Sequence, residues 1–248
     1  MINKESIKKF TIESAAIISS ILIAFSIDSY WDIYKQEQSQ KTAIEALKME
    51  FEESHDSLKG AISQKNGVVK RMTKLILMTD AEVTTLEAKE SQKMINSLST
   101  VYTYIPLTAS LDSLVSSGEL NKINNKKLRE ALAAYRSELE SLNRTQKWAL
   151  ETVNLRTIPF LAERIPMHLF SYNGPLVESN VHDLTNELNS KAVSTYIAPL
   201  FNEIAFRNLA QNRLLSARLT ILKLKVLQEC VVKVCMVLKN KNCISIEA

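Results

Sequence analysis

Glycine, proline and cysteine are all scarce in this chain of 248 residues, which holds four glycines, five prolines and three cysteines. Sheet proteins need many turns that are punctuated by glycine or proline, so this scarcity favours a few long helices. A glycine-rich loop that cradles phosphate is also nearly excluded, and the chain has no P-loop and no G-x-S-x-G sequence. The composition therefore predicts an all-α protein.

A strong charge bias is missing too. Lysine and arginine number 31 against 27 aspartates and glutamates, which gives a net charge of +4, and the two signs are interspersed along the chain. A nucleic-acid-binding domain would cluster its basic residues on one face. We therefore expect no nucleic-acid partner.

Side chains that could perform chemistry are present but scattered. His55, His168 and His182 are isolated from any second ligand at metal-binding spacing, and we interpret them as surface or capping residues. An acidic cluster is interpreted as the solvated face of a helix rather than a paired-carboxylate site; it comprises Glu50, Glu52, Glu53 and Asp56. The sequence predicts no metal, no cofactor and no enzymatic activity.

The three cysteines, Cys230, Cys235 and Cys243, form no C-x-x-C pair. Cys230 and Cys235 are five residues apart, about 140° around a helix, so they cannot easily bond to each other. Buried thiols are the favoured interpretation. The alternative is that Cys243, near the C-terminus, cross-links to a partner.

The most apolar segment lies near the N-terminus. Phe10 to Ile27 spans eighteen residues, just enough to cross a bilayer core. Lysines precede it, and an aromatic belt of Tyr30, Trp31 and Tyr34 follows it. We predict a transmembrane helix over 10–29 in the lipid bilayer. The alternatives are a signal peptide cleaved near Ala24-Phe25-Ser26 and a buried core helix.

The lysines before this segment outnumber those just after it, so the positive-inside rule predicts a cytoplasmic tail, residues 1–9, and an exported domain. One face of the helix carries an acid and small residues: Glu13, Ala16, Ser20 and Ala24. Small residues four apart allow close helix approach, and an acid at this depth usually faces protein or water. We predict that this face packs against another membrane helix; the alternative is water reaching Glu13.

The remainder shows apolar residues at alternating steps of three and four, the coiled-coil period. We predict a juxtamembrane stalk over 30–43 and an antiparallel helical bundle over 44–248. Thr108 is expected to cap a short helix that ends at Ser117. Gly118 would follow at positive φ and form a corner.

Two segments carry a family resemblance. One is Glu13 with Ile21 to Trp31 (ILIAFSIDSYW); the other is Ser116 to Leu132 (SSGELNKINNKKLREAL). Together they resemble a widespread bacterial family of uncharacterised proteins with an N-terminal membrane helix, although Ser20 stands where many relatives have glycine. The resemblance implies a single-pass protein of the bacterial inner membrane, and it implies no activity. Together with the lysine distribution, this predicts a periplasmic or extracellular helical domain.

Three functional classes can then be compared. We favour a membrane-anchored, non-catalytic interaction or scaffold subunit that assembles with itself or with another membrane protein. The alternative is a periplasmic ligand-sensing domain; its cytoplasmic tail of about nine residues is too short to signal, so it would act through a partner. An enzyme is the least favoured class.

Overall fold

The computed structural model describes residues 4–166, 193–240 and 243. Over these residues the chain forms α-helices, short 3₁₀ and π-helical turns, and no strands, which confirms the predicted all-α class. The helices are α1 (Lys4–Leu77), α2 (Asp80–Thr84), α3 (Ala88–Ser99), α4 (Ala109–Ser116), α5 (Lys126–Thr152), α6 (Ile158–Ala162) and α7 (Ile204–Val237).

Helix α1 contains the predicted membrane segment, 10–29, the predicted stalk, 30–43, and the first part of the predicted bundle. It continues because no proline interrupts it, and it ends just before Thr79. The Thr79 hydroxyl accepts from the amide of Glu82, and the Glu82 carboxylate accepts from the amide of Thr79. This capping box starts α2 and fixes the end of the long helix.

Contacts within the chain divide it into two compact units. Unit 1 comprises residues 1–50 and 108–125, and unit 2 comprises residues 51–107 and 126–248.

In unit 1, helix α4 receives its N-terminal cap from a distant side chain. Thr108 occupies the N-cap position but donates instead to Asp112. The Glu50 carboxylate accepts from the amides of Ser110, at 2.6 Å, and Leu111, at 3.3 Å. The interpretation of Glu50 as part of a solvated acidic face is therefore wrong: it is buried because it satisfies two of the free amides that begin a helix.

Gly118 follows α4 with φ of +73°, the left-handed conformation expected for this position. Its amide donates to the carbonyl of Val115 at 3.2 Å, and a 3₁₀ turn, Glu119–Lys122, begins directly afterwards. The left-handed region costs a side chain with Cβ about 1–2 kcal/mol, and glycine pays nothing there.

In unit 2, α5 and α7 run antiparallel along each other, with Glu138 paired to Lys223 and Trp148 beside Asn212. A turn of π-helix, Val153–Thr157, joins α5 to α6, so Pro159 lies in the first turn of α6 and the helix continues to Ala162. The apolar core includes residues of α1, α3, α6 and α7, such as Met72, Leu98, Leu161 and Phe206.

The cysteines correct one interpretation. Cys235 and Cys243 form a disulfide with Cα atoms 5.9 Å apart, whereas Cys230 is the buried free thiol that was expected. Helix α7 ends in a Schellman motif. The backbone amide of Asn240 donates to the carbonyl of Cys235, and the amide of Lys239 donates to the carbonyl of Met236. Lys239 adopts φ of +54° there, which turns the chain and brings Cys243 back to Cys235.

Substitutions at Gly118 test how much the left-handed conformation at this corner contributes to the free energy of unfolding. We expect Gly118→Val to lower the free energy of unfolding by more than about 1 kcal/mol, because a β-branched residue resists positive φ. Gly118→Asn is the matched control, since asparagine tolerates this conformation. Thermal unfolding followed by circular dichroism would measure both variants. Equal melting temperatures for the valine and asparagine variants would contradict the role assigned to the corner.

Candidate functional site

The candidate site in unit 2 surrounds residues 100–107, which connect α3 to α4 and are not helical. We call this segment the strap. The sequence predicts only a break at Pro106 here. In the structure, buried side chains from α1, α5 and α7 bind the backbone of the strap and of the end of α3.

Two basic side chains hold the start of the strap. The Lys65 ammonium donates to the carbonyl of Tyr102. The Arg213 guanidinium donates to the carbonyls of Ser97, at 3.0 Å, and Thr100, at 2.8 Å. Lys65 is 2% exposed and Arg213 3%, so both cations lie inside unit 2.

The position of these cations follows from the end of helix α3. The last carbonyls of a helix lack amide partners within it, and they carry the negative end of the helix dipole. Arg213 supplies the missing donors for the carbonyls of Ser97 and Thr100, while Arg71 donates from Nε to the Ser97 hydroxyl. Among the ion pairs of residues 4–166 and 193–240, none involves Lys65 or Arg213. Backbone oxygens therefore stabilise the two charges.

Burial lowers the pKa of both cations in this cluster. Desolvation, together with the positive charge of Arg213, lowers the pKa of Lys65 from 10.5 to about 8. Desolvation also lowers the pKa of Arg213 to about 10. Both side chains are thus cationic at pH 7, and the buried charge of Lys65 is the easier one to remove.

Gln146 of α5 holds the middle of the strap. Its carboxamide oxygen accepts from the amide of Tyr104 at 2.6 Å, and its nitrogen donates to the carbonyl of the same residue at 3.2 Å. The Tyr104 hydroxyl lies 3.2 Å from that of Ser57, and burial raises the pKa of Tyr104. The glutamine side chain thus takes the place that a neighbouring strand would occupy.

These contacts fix a conformation. Within the described part of the chain, the hydrogen bonds donated by Lys65, Arg213 and Gln146 end on backbone oxygens, except one from Arg213 that ends on the Ser216 hydroxyl. The arrangement presents the strap at the surface of unit 2 in one defined backbone geometry.

The sequence contained a partial signal for these residues. Lys65 interrupts an otherwise apolar series at steps of three and four on α1, between Ala61 and Val68. Gln146 stands at an apolar position in the heptad pattern of α5. A polar residue at such a position indicates a buried hydrogen bond. The sequence does not say which backbone group receives it.

The predicted membrane face lies on α1 in unit 1. Glu13, Ser20 and Ala24 are exposed, and Ala16 lies on the same helix. Trp31 and Tyr34 stack with ring centroids 5.8 Å apart, the Lys35 ammonium lies 5.7 Å from the Trp31 ring, and Tyr30 is exposed.

Large apolar side chains around all sides of this part of α1 are exposed, namely Ile17, Ile18, Ile21, Leu22, Ile23, Phe25 and Ile27. Among the described residues, α1 is the one helix that has the length and composition to cross a membrane.

The histidines play no part in this cluster as far as the structure describes them. His55 is buried, with Nδ1 3.5 Å from the Asp56 carboxylate, so of the two interpretations, surface or capping residue, the surface one is wrong. His168 and His182 lie outside the described residues. Within the described ranges, no group of three or more histidine, cysteine or acidic side chains has metal-binding geometry.

Residues 13–143 match the model of a family of unknown function, DUF6090. The match covers more than half of the chain, and the chain belongs to this family. It includes both segments that carry the resemblance noted above, and it includes Lys65 and the strap, while Gln146 and Arg213 lie beyond it. No curated protein and no solved structure matches the chain.

The lowered pKa of Lys65 predicts an unusual pH dependence. The folded state loses this proton near pH 8, whereas the unfolded chain keeps it until about pH 10.5. The unfolded state therefore binds more protons in between, so the stability contributed by this site rises with pH. We expect a gain of about 2 kcal/mol between pH 7.5 and 9.5.

Lys65→Met should abolish this rise, while Lys70→Met, at an exposed position of the same helix, should keep it. Comparing unfolding of the three proteins at both pH values in one detergent cancels the other groups that titrate in this range. An equal rise in the Lys65→Met protein would show that Lys65 is not the group responsible.

Proposed function

We propose that the protein is a membrane-anchored, non-catalytic interaction or scaffold subunit of the bacterial inner membrane, which assembles with itself or with another membrane protein. The observation that carries this proposal is the exposure of the apolar part of α1 on all of its sides. Seven large apolar side chains there have no protein cover in the described structure.

Exposure to water would be costly for such a helix. Burying one large aliphatic or aromatic side chain stabilises by about 1.5–3 kcal/mol, so seven exposed ones favour transfer to an apolar phase. A bilayer core supplies that phase at a length of about twenty residues. The stacked Trp31 and Tyr34, with exposed Tyr30, suit the interface that follows such a segment.

The disulfide supports the proposed orientation. Structural disulfides persist in oxidising compartments and are rare in the reducing cytosol. Cys235–Cys243 lies in unit 2, far along the chain from the apolar segment. A periplasmic or extracellular domain with a cytoplasmic N-terminus agrees with this bond and with the lysines that precede the segment.

The interaction role is supported by Glu13. Placing an acid at the centre of a membrane helix costs about 2.5–3.5 kcal/mol, and the cost is smaller for Glu13, which is the fourth residue of Phe10–Ile27. Acids within membrane segments usually face protein or water. Ala16, Ser20 and Ala24 follow at four-residue spacing, which permits close approach of a second helix. The chain offers no second span among its described residues, so the partner helix would come from another chain.

Fractionation tests the anchor and its orientation. We expect the full-length chain to stay with membranes in high salt and to dissolve in detergent. In the absence of a reductant, Cys235 and Cys243 should resist alkylation in the unfolded protein. A full-length chain in the soluble fraction would overturn the proposal. A mature chain that begins near Ile27 would instead establish a cleaved signal peptide.

Single-cysteine cross-linking in membranes tests the packing face. We expect Ala16→Cys, Ser20→Cys and Ala24→Cys to cross-link to a partner helix. The matched controls on the other face, Ala15→Cys, Ile18→Cys, Leu22→Cys and Phe25→Cys, should not. Equal cross-linking from both faces, with assembly unchanged in the Glu13→Gln protein, would mean that the helix is an anchor only.

A further inference from the structure

The strap contains a sequence that suits a strand. Residues Val101 to Ile105 read VYTYI, five consecutive β-branched or aromatic residues without charge. Such residues have the highest strand propensities, whereas every regular element in the described part of the chain is a helix. Pro106 follows directly and lacks the amide that would continue a strand ladder.

The strap's backbone has one satisfied edge. Carbonyls at alternate positions, Thr100, Tyr102 and Tyr104, all accept from side chains of unit 2. In an extended chain, backbone groups of successive residues point to opposite edges. Acceptance at every second carbonyl is the pattern of an extended chain, and Thr100 itself is extended, with φ of −117° and ψ of 132°. The amides and carbonyls of Val101, Thr103 and Ile105 are therefore expected to point away from these side chains.

The opposite edge is open. Among residues 4–166 and 193–240, no hydrogen bond involves the backbone of Thr103 or Ile105. Thr103 is exposed, and Ile105 is 83% exposed, the largest exposure recorded for a large apolar residue of the described chain. Unpaired edges of this kind are templates for pairing with another extended segment.

We propose that this edge pairs antiparallel with the same edge of a second copy of the chain, about a two-fold axis at Thr103. Each Thr103 would exchange two hydrogen bonds with Thr103 of the other copy, and Val101 would lie opposite Ile105. This inference deepens the proposed function, and rests on it, by naming the partner and the surface through which it binds.

Three features favour a second copy over a different protein. An edge that pairs with itself about a two-fold axis is complementary by symmetry. The paired side chains, Thr103 with Thr103 and Val101 with Ile105, are β-branched and uncharged, and such cross-strand pairs stabilise sheets. Finally, Lys65, Gln146 and Arg213 already occupy the other edge of the strap, so the pairing closes as a dimer, and Pro106 limits the length of its ladder.

Disulfide trapping of the full-length chain in membranes tests the register. Residues in a hydrogen-bonded antiparallel pair have Cα atoms about 5.5 Å apart, within disulfide range. Under mild oxidation we expect Thr103→Cys to yield a cross-linked dimer as the main product. Leu107→Cys is the matched control, because its two copies would be about 27 Å apart along the paired strands. Equal cross-linking at both positions, or at neither, would overturn the proposed register.

A charge exchange tests the pairing without oxidation. Two differently tagged copies are co-expressed and purified through one tag in detergent. Two Thr103→Asp copies, or two Thr103→Lys copies, would place like charges in contact, and we expect recovery of the second copy to fall at least about tenfold. A Thr103→Asp copy with a Thr103→Lys copy should recover together as the unmodified pair does.

Leu155→Asp is the matched control at another exposed apolar position of unit 2, and it should leave recovery unchanged. Recovery that does not depend on residue 103, or unmodified copies that do not associate at all, would overturn the strap dimer. Membrane fractionation of the Thr103→Asp protein distinguishes a failure of the strap dimer from a failure of the proposed membrane-anchored function. If it still sediments with membranes, only the strap inference has failed.

Discussion

The carbonyl end of helix α3 is the constraint on which unit 2 depends. Carbonyls that have no amide partner must be satisfied by other donors when they are buried. Here Arg213 binds Ser97 and Thr100, and Lys65 binds Tyr102. Removing two cations from water costs several kcal/mol each, and backbone dipoles rather than carboxylates offset that cost. The network ties α1, α3 and α7 together at the point where the strap begins.

The sequence predicted the helices well because their pattern is periodic and local. Apolar spacing at steps of three and four indicated long packed helices, which the structure shows as α1, α5 and α7, and Thr108 and Gly118 marked the two ends of α4. The side-chain contacts that hold the strap were not predictable in the same way. Lys65, Gln146 and Arg213 meet there from distant parts of the chain, and periodicity assigns a residue to a face without naming its partner.

Two of the corrected interpretations, those of Glu50 and Cys243, concern contacts that the local sequence does not indicate. Glu50 belongs to an acidic sequence and looks solvated, but the free amides of α4 bind its carboxylate. Cys243 pairs with Cys235 because the chain reverses at Lys239, a residue that rarely adopts positive φ. A glycine at this position would have predicted a Schellman motif from the sequence, whereas a lysine does not. Long-range and unusual local geometries are what single-sequence reasoning misses.

In the proposed dimer, the membrane anchor and the strap would reinforce each other energetically. A short ladder of about six hydrogen bonds, each contributing about 0.5–1.5 kcal/mol net, is weak against the entropy lost when two free molecules associate. Copies held in one membrane have already lost part of that freedom, and their effective concentration is higher. An edge that ends at Pro106 can then be sufficient for pairing in the membrane. The same edge would remain too weak, in the soluble domain alone, to drive aggregation.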